Sequence, residues 1–347
     1  MSEVRPDTVL VTGAGGFIGG HLMAALAESG HHVRGVDIKP LEDWYQLPSG
    51  AELLELDVSR RENCERAVDG IDTVYNLAAD MGGMGFIENH RAECMLSVLI
   101  NTHMLQAAVE AKVDRFFYAS SACVYAADKQ GSPDVVALRE EDAYPAMPED
   151  GYGWEKLFSE RMCRHFLEDY GLQTRTARYH NVYGPLGTYD GGREKAPAAV
   201  CRKVAEAILL GNNEIEIWGD GEQTRSFTYI DDCVTGTLLV TSGDSSEPVN
   251  VGSSELVTIN QLVGTVEAIA GVTLKRKYLA NAPQGVRGRN SDNTKIKEIY
   301  GWEPSISLLE GLSKTYAWVF EQVSRSLVGN EVHSHAPAAL EAAVSAG

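Results

Sequence analysis

The sequence has no long hydrophobic run. Although 44% of its 347 residues are hydrophobic, no stretch reaches the roughly 18 apolar residues that a transmembrane helix needs. The N-terminal segment, MSEVRPDTVLVTG, passes directly into a predicted strand and has no charged-then-apolar pattern typical of a secretory signal. We therefore expect a protein that is neither inserted into a membrane nor exported.

Paired cysteine motifs are also absent. The six cysteines are scattered through the chain and form no CxxC pair, which argues against a zinc ribbon and against a disulfide scaffold. We expect reduced thiols, a cytoplasmic location and no metal site.

Basic residues are scarce relative to acidic ones. Lysine and arginine total 30 and aspartate and glutamate total 49, for a net charge of −19. Such a chain is a poor match for nucleic acid, so we expect no nucleic-acid partner. If the ligand is an anion, a few local cations must bind it despite the repulsion by the protein's net negative charge.

The first 40 residues have the pattern of a dinucleotide-binding unit. A β-branched strand, Thr8–Thr12, precedes glycines at positions 13, 16 and 19, and an apolar-periodic helix follows over Phe17–Ser29. The glycines permit a tight turn, a close approach of backbone N–H groups to a pyrophosphate, and helix-on-strand packing. We therefore predict a dinucleotide site at this turn.

An acidic residue ends the second predicted strand, Val33–Val36. A carboxylate at Asp37 can accept a hydrogen bond from a ribose 2′-hydroxyl and would repel a 2′-phosphate. The sequence thus favours NAD over NADP.

Further strands follow in alternation with helices. Strands are predicted at 53–60, 72–80 and 115–125, and a helix at 94–111. Asp57, in the first of these strands, is either a contact for the adenine amino group or an acidic loop residue. The alternation predicts a Rossmann-type, doubly wound parallel sheet with ligands at the carboxyl ends of its strands.

A tyrosine and a lysine at i and i+4, Tyr152 and Lys156, share one face of a predicted helix. A nearby ammonium lowers the pKa of a phenol, which would let Tyr152 exchange a proton with a hydroxyl. This spacing is common by chance and gains weight only from the upstream dinucleotide unit and from Ser121, in the Ser-rich strand end YASSACVY.

Together these residues resemble the extended short-chain dehydrogenase/reductase family. The resemblance implies that Ser121, Tyr152 and Lys156 form the hydride-transfer site and that a smaller C-terminal α/β domain binds a sugar nucleotide. It also implies a homodimer joined through a four-helix contact. The cofactor contacts that it implies are Gly13, Gly16, Phe17, Ile18, Gly19, Asp37, Asp57, Val58, Leu77, Ala78, Tyr152 and Lys156.

Longer motifs are similar to those of family members that invert C3 and C5 of GDP-mannose. They include LAADMGGMGFIENH, GGREKAPAA, WGDGEQTRSFTYIDDCV and GVRGRNSDN, and the similarity runs from about residue 7 to residue 323. It implies GDP-mannose as substrate and GDP-L-galactose, GDP-L-gulose or both as products. Whether C3, C5 or both are inverted stays open.

The resemblance gives Cys123 a chemical role. Oxidation of C4 to a ketone makes the hydrogens at C3 and C5 acidic, so a base and an acid are needed beyond Ser121 and Tyr152. The resemblance assigns Cys123 as the base and Lys195 as the acid. The alternatives are a small buried thiol and a solvated loop charge.

Several other residues match substrate contacts of the family. Lys203, Arg225 and Arg289 are cations suited to a diphosphate, with surface salt bridges as the alternative. The full predicted set is Gly82, Ser121, Ala122, Cys123, Asn181, Glu194, Lys195, Lys203, Gln223, Arg225 and Arg289.

The predicted domain organisation is discontinuous. Residues 1–180, with a returning segment near 226–254, form the NAD-binding domain, and residues 181–323 form the sugar-nucleotide domain. Residues 324–347, which are rich in alanine, are predicted to be a flexible tail in which AALEAAVSA can form a short helix.

Other functions share much of this pattern. A UDP-sugar 4-epimerase would use the same Ser, Tyr, Lys and NAD without needing the pair Cys123 and Lys195. A 4,6-dehydratase needs a Glu beside the strand-end Ser, where Ala122 and Cys123 stand. An NAD-binding sensor or scaffold without turnover is disfavoured by the intact set of Ser121, Tyr152 and Lys156.

Overall fold

The computed structural model describes residues 7–282 and 285–334. The strands of the described chain are β1 Thr8–Thr12, β2 His32–Asp37, β3 Glu52–Glu55, β4 Thr73–Asn76, β5 Arg115–Ser121, β6 Gln173–Tyr179, β7 Val182–Tyr183, β8 Glu214–Trp218, β9 Thr224–Ser226, β10 Thr228–Tyr229, β11 Val249–Val251, β12 Leu256–Thr258, β13 Lys275–Leu279 and β14 Gly288–Arg289. The helices are α1 Phe17–Glu28, α2 Arg61–Val68, α3 Met84–Asn89, α4 Arg91–Glu110, α5 Asp150–Tyr170, α6 Ala196–Leu210, α7 Ile230–Ser242, α8 Ile259–Ala270, α9 Thr294–Tyr300 and α10 Leu308–Ser334.

Seven strands form one parallel sheet in the order β11-β6-β5-β4-β1-β2-β3. The central strands are apolar and buried on both faces, as expected for a parallel sheet covered by helices on each side. The order reverses direction between β1 and β4, which opens a crevice at their carboxyl ends. The predicted doubly wound parallel sheet is confirmed.

Two apolar layers hold the helices against this sheet. One layer includes Val9, Val11 and Phe117, and the other includes Leu10 and Phe116, so adjacent residues of a strand serve opposite layers. This packing fixes the carboxyl ends of β1, β4 and β5, and the predicted site residues lie at or just after these strand ends.

The remaining strands form small sheets beside the main one. β9 lies between β12 and β14, β8 pairs with β13, and β7 pairs with β10. Helix α6 packs against α8 and α10. Strand β11, within the segment predicted to return to the first domain, pairs in parallel with β6, while the proposed domain division stays a prediction.

Two predicted boundaries differ from the structure. The strand predicted to continue to Tyr125 ends at Ser121, because the Ser121 hydroxyl accepts from the Cys123 N–H at 3.2 Å and the chain turns into a short 3₁₀ segment. Residue 324, where the predicted tail begins, lies within α10, which runs from Leu308 to Ser334. Residues 335–347, with AALEAAVSA, lie outside the described residues.

None of the helices in the described ranges is long and apolar enough to cross a membrane.

Candidate functional site

The glycine-rich turn has no room for side chains. Gly13 has φ +72°, and a Cβ there would lie 3.1 Å from the Ala78 backbone nitrogen. A Cβ on Gly19 would lie 2.1 Å from the Gly13 carbonyl oxygen. Gly16 is the N-cap of α1, so the turn presents a helix N-terminus and a bare backbone. These features fit the pyrophosphate of a dinucleotide, with Phe17 and Ile18 in the first turn of the helix.

Asp37 faces this turn from the end of β2. Its carboxylate accepts hydrogen bonds from the Gly15 N–H and from the Lys39 N–H, both at 3.0 Å. These bonds fix the Asp37 side chain beside the glycine-rich backbone, where its carboxylate can accept a hydrogen bond from a ribose hydroxyl. The Lys39 ammonium also reaches this turn, donating to the Gly15 carbonyl at 3.2 Å, which the sequence reasoning missed.

The neighbouring strand ends complete the predicted cofactor surface. Thr12, which was not predicted, accepts at its hydroxyl from the Leu77 and Ala78 N–H groups at 3.2 Å and so joins β1 to the β4 end. The Asp57 carboxylate accepts from the Ser59 backbone and hydroxyl, and that hydroxyl bond lowers the pKa of Asp57. Val58, beside it, is buried.

Helix α5 brings Tyr152 and Lys156 against the end of β5. The Lys156 ammonium donates to the Ala119 carbonyl at 3.1 Å and lies over the Tyr152 ring at 5.5 Å from its centroid. Both side chains are buried. The bond to Ala119 anchors one turn of α5 to the strand that carries Ser121.

The pKa of Tyr152 differs from the expectation. Burial raises it well above the usual value, the charges of Cys123 and Glu155 raise it further, and a bond with Ser121 lowers it. The predicted lowering by Lys156 is thus wrong for the protein without ligands, because desolvation of a buried phenol outweighs the nearby cation.

Sequence reasoning also missed the carboxylate beside Lys156. Glu155 is buried, lies 3.7 Å from the Lys156 ammonium, and accepts from the Asn101 amide at 2.6 Å. Glu155 directly precedes Lys156 in the sequence, but its partner Asn101 could not be found from local spacing, since Asn101 comes from α4 and meets α5 only in the folded chain.

All of the predicted substrate contacts line one cavity of about 660 Å³. It lies between the strand ends of the main sheet and the small sheets, with Ser121, Cys123 and Tyr152 on one wall. Further lining residues that the sequence analysis did not single out include Met84, Arg202, Leu210, Trp218 and Phe227. The roles of the individual residues stay predictions.

Cys123 and Lys195 face this cavity from different parts of the chain. Cys123 lies in the turn after β5, and burial raises the pKa of its thiol to about 11. Lys195 is the N-cap of α6, and burial lowers the pKa of its ammonium, with the charge of Cys123 acting in the opposite direction. Both shifts favour the neutral forms, which are the proton-holding thiol and the proton-accepting amine.

Arg289 links the Cys123 turn to the start of α5. Its guanidinium donates to the Cys123 sulfur at 3.6 Å, to the Gln130 side-chain oxygen at 2.7 Å, and to the Glu149 carboxylate. Neither Gln130 nor Glu149 was predicted. Arg289 therefore enters the cavity wall already paired with a carboxylate.

Other polar groups surround the far part of the cavity. The buried Arg225 guanidinium donates to the carbonyls of Thr224 and Val286, and burial lowers its pKa to about 10. The Lys203 ammonium lies 6.0 Å from the Trp218 ring centroid and donates to the Glu216 carbonyl at 2.9 Å.

Gln223, also in this region, donates its side-chain amide to the Trp218 carbonyl at 3.0 Å. Its side-chain oxygen is buried and makes no hydrogen bond within the described residues. An acceptor left in this state next to a cavity is suited to a ligand donor.

Two loops close over the cavity side by side. The Gly83 N–H donates to the Arg193 carbonyl at 2.9 Å, and a Cβ on Gly83 would lie 2.3 Å from the Glu194 carbonyl oxygen. A Cβ on Gly82 would meet the Phe86 side chain at 2.8 Å. The glycines thus let the loop after β4 pack directly on the loop before α6.

Two more predicted contacts have internal partners. Asn181 has φ +44°, and its amide donates to the Ser226 carbonyl at 2.9 Å. Glu194 accepts from the Gly192 N–H and from Arg202. Among the described residues, no cluster of three or more His, Cys, Asp or Glu side chains could hold a metal ion.

Known proteins resemble this chain in sequence. GDP-mannose 3,5-epimerase 1 of Oryza sativa subsp. japonica is 46% identical over 318 residues, which cover 91% of this chain and 82% of that protein. GDP-mannose 3,5-epimerase of Arabidopsis thaliana is also 46% identical over 318 residues and is covered to 83%.

Solved structures resemble it in fold. UDP-glucose 4-epimerase of Thermotoga maritima, solved with UDP-glucose, superposes with a TM-score of 0.80 at 29% identity and covers 91% of this chain and 99% of its own. UDP-glucuronic acid 4-epimerase of Bacillus cereus, solved with UDP-glucuronic acid and NAD, has a TM-score of 0.76 at 27% identity, with the same shares of 91% and 99%.

The family model described as "NAD dependent epimerase/dehydratase family" matches residues 9–252. Together with the parallel sheet and the bare glycine-rich turn, this match confirms the predicted family and its NAD cofactor. The chain belongs to the NAD-dependent epimerase/dehydratase family.

Proposed function

We propose that this protein is an epimerase that inverts C3, C5 or both in the mannose ring of GDP-mannose, giving GDP-L-galactose, GDP-L-gulose or both. The observation that carries the proposal is the meeting of Cys123 and Lys195 with Ser121 and Tyr152 around one cavity. A 4-epimerase needs only the last two of these groups. The 46% identity to two plant proteins named GDP-mannose 3,5-epimerase supports this substrate.

The reaction begins at the C4 hydroxyl of the sugar. Tyr152 takes the hydroxyl proton, and Ser121, on the same wall of the cavity, orients that oxygen. The glycine-rich turn and Asp37 would hold NAD, which would supply the hydride acceptor for this carbon. Lys156, held by the Ala119 carbonyl, would position the Tyr152 phenol relative to the ribose of the cofactor.

The C4 ketone then acidifies the hydrogens on both neighbouring carbons. Transfer of the Cys123 proton to the Lys195 amine, the neutral forms that burial favours, gives a thiolate and an ammonium. The thiolate then removes the proton from C3 or C5, and the electron pair of the broken C–H bond forms the enolate. Lys195, in its ammonium form, delivers a proton to the same carbon from the other face. The carbon thus changes configuration, and the two residues return to thiol and amine, whose protons exchange with solvent.

The cations of the cavity account for an anionic substrate in an acidic protein. We assign Lys203, Arg225 and Arg289 to the diphosphate and its sugar, since each lines the cavity. Gln223 offers its unsatisfied oxygen to a donor of the nucleotide. A guanidinium or ammonium that reaches a phosphate forms a charge-assisted bond of above-average strength.

We also propose a homodimer in the cytoplasm. Helices α4 and α5 pack together and expose a set of large apolar side chains, each between 42% and 59% accessible: Met95, Leu96, Leu99, Trp154 and Phe158. Two such helices from each copy would bury these side chains in a four-helix contact. The six cysteines are unpaired, which suits a reducing compartment.

Product analysis tests this proposal. The purified protein is incubated separately with GDP-mannose, UDP-glucose and UDP-N-acetylglucosamine, and the sugars released by acid are separated by chromatography. We expect L-galactose or L-gulose from GDP-mannose and no change in either UDP-sugar. Inversion at C4 of a UDP-sugar would instead identify a 4-epimerase, and no turnover of any of the three would favour a sensor or scaffold.

A further inference from the structure

One guanidinium serves two acidic groups beside the cavity. Arg289 donates through one terminal nitrogen to the Cys123 sulfur at 3.6 Å and through the other to the Glu149 carboxylate, while its third nitrogen is held by Gln130 at 2.7 Å. The Arg289 and Glu149 side chains are only 5% and 12% accessible. Water therefore screens this cluster weakly.

Backbone contacts fix the two acidic groups relative to each other. The Glu149 N–H donates to the Cys123 carbonyl at 2.9 Å, and a Cβ on Gly153 would lie 2.4 Å from the same carbonyl oxygen. The start of α5 and the turn after β5 are thus in direct contact. The second carboxylate oxygen of Glu149 is buried and makes no hydrogen bond within the described residues.

Charge balance makes the two acids compete. With Glu149 ionised, the guanidinium is already neutralised, and a thiolate at Cys123 would add an uncompensated buried negative charge. The neighbouring charges fit this picture: Glu149 raises the pKa of Cys123 and Arg289 lowers it. The other ionisable groups that interact with the thiol are Tyr152 and Lys195, and the next cation is Arg225.

We propose that Glu149 is a positioning residue that, by sharing Arg289 with Cys123, sets the pH at which the Cys123 thiol becomes a thiolate. Glu149 does not line the cavity, so it acts on the thiol, through its own charge and through Arg289, and not on the substrate. The proposal rests on the proposed function only for the meaning of that thiolate in catalysis. The ionisation itself is a property of the protein alone.

The test is the alkylation rate of Cys123 in Glu149→Gln. Glutamine keeps the shape and can still accept from Arg289, but it carries no charge. Loss of the like charge lowers the thiol pKa by about 1 unit or more. A thiol pKa lower by 1 unit raises the thiolate fraction at pH 8 about tenfold, while the less basic thiolate is less nucleophilic. The iodoacetamide rate on Cys123 at pH 8, measured by mass spectrometry of its peptide, should therefore rise by a net factor of roughly three or more.

Asp150→Asn is the matched control. Asp150 is the next residue and pairs on the surface with Arg91 at 2.8 Å, with both side chains more than half exposed. We expect its Cys123 rate to equal that of the wild type. A Glu149→Gln rate equal to wild type, or an equal rise in both variants, would overturn the proposal.

A second measurement separates this inference from the proposed function. If GDP-mannose is the substrate, the acid limb of the kcat/KM profile should move to lower pH in Glu149→Gln, in step with the alkylation data. Wild-type protein without turnover of GDP-mannose would refute the proposed function and leave the alkylation test intact. A shifted alkylation rate with an unshifted acid limb would overturn the role of Glu149 in setting the base.

Discussion

The Lys156 ammonium and the Ala119 carbonyl are joined by a hydrogen bond of 3.1 Å. It ties the helix that carries Tyr152 to the strand that ends in Ser121. Because both partners are buried, the bond is protected from water, and Glu155 balances the charge of the lysine at 3.7 Å. The relative placement of phenol and hydroxyl therefore depends on a contact within the sheet frame and not on a surface loop.

Tyr152→Phe should abolish every later step. Without the phenolic hydroxyl, C4 is not oxidised and neither neighbouring carbon becomes acidic, so kcat should fall about 10²–10⁴-fold. Steady-state turnover of GDP-mannose measures this loss. Tyr170→Phe, an exposed tyrosine on the same helix, should keep wild-type turnover. A Tyr152→Phe variant as active as that control would remove the phenol from the reaction.

Asp37→Asn should narrow the preference for NAD over NADP. The carboxylate would repel a 2′-phosphate, and the amide would not. The Gly15 and Lys39 N–H groups donate to different oxygens of Asp37, so Asn keeps an acceptor for only one of these two bonds. Titration calorimetry with both cofactors gives the ratio. Wild-type protein that prefers NADP by about tenfold or more, equal to about 1.4 kcal/mol, would contradict the role of Asp37.

Arg225→Ala should mainly weaken the binding of GDP. Loss of a charge-assisted bond to a phosphate costs about 1.5–3 kcal/mol, provided that circular dichroism shows the variant to be folded. Arg287→Ala is the control, because Arg287 pairs with Asp220 and does not line the cavity. Equal affinities for GDP in Arg225→Ala and wild type would remove Arg225 from the site.

His180 should make the fold sensitive to acid. Burial lowers the pKa of its imidazole to about 3, whereas in the unfolded chain it is about 6.5. The unfolded state therefore binds more protons as the pH falls from about 6.5 towards 3, and the free energy of unfolding falls with it. Between pH 6.5 and 4.5 this site should cost roughly 2–3 kcal/mol.

Urea denaturation at these two pH values tests the role of His180. His180→Gln should lose less stability between them than the wild type, because glutamine can donate to Asn250 as the imidazole does and does not titrate. His165→Gln, at an exposed histidine, should behave like the wild type. An unchanged pH dependence in His180→Gln would contradict the buried neutral imidazole.

The sequence predicted the elements that local patterns encode. Strand β1 was predicted with its observed limits, and the positive φ of Gly13 and the close backbone contact at Gly19 agree with the predicted tight turn and close packing. The end of β5 was missed because a side chain, Ser121, caps the following turn. The predicted start of the tail, residue 324, lies within α10.

Groups that meet only in the folded chain were beyond local patterns. Glu149 and Gln130 hold Arg289, which is distant from both in sequence, and no spacing rule connects them. The raised pKa of Tyr152 has the same origin, since its burial depends on tertiary packing. A resemblance to a family supplies residue identities, but the partners of those residues require the structure.

The central claim is that Cys123 removes a proton from a ring carbon. Proton NMR of GDP-mannose incubated in D₂O tests it most directly, with wild type and Cys123→Ala compared. The wild type should place deuterium at each inverted carbon, C3, C5 or both. Cys123→Ala should place none and lose at least about 10²-fold in kcat, as expected for a general base. The contrary result is deuterium incorporation by Cys123→Ala with more than about a tenth of wild-type kcat, which is a loss of less than about 1.4 kcal/mol. That result would contradict the role of Cys123 as the base and would indicate that its thiol only packs in the core.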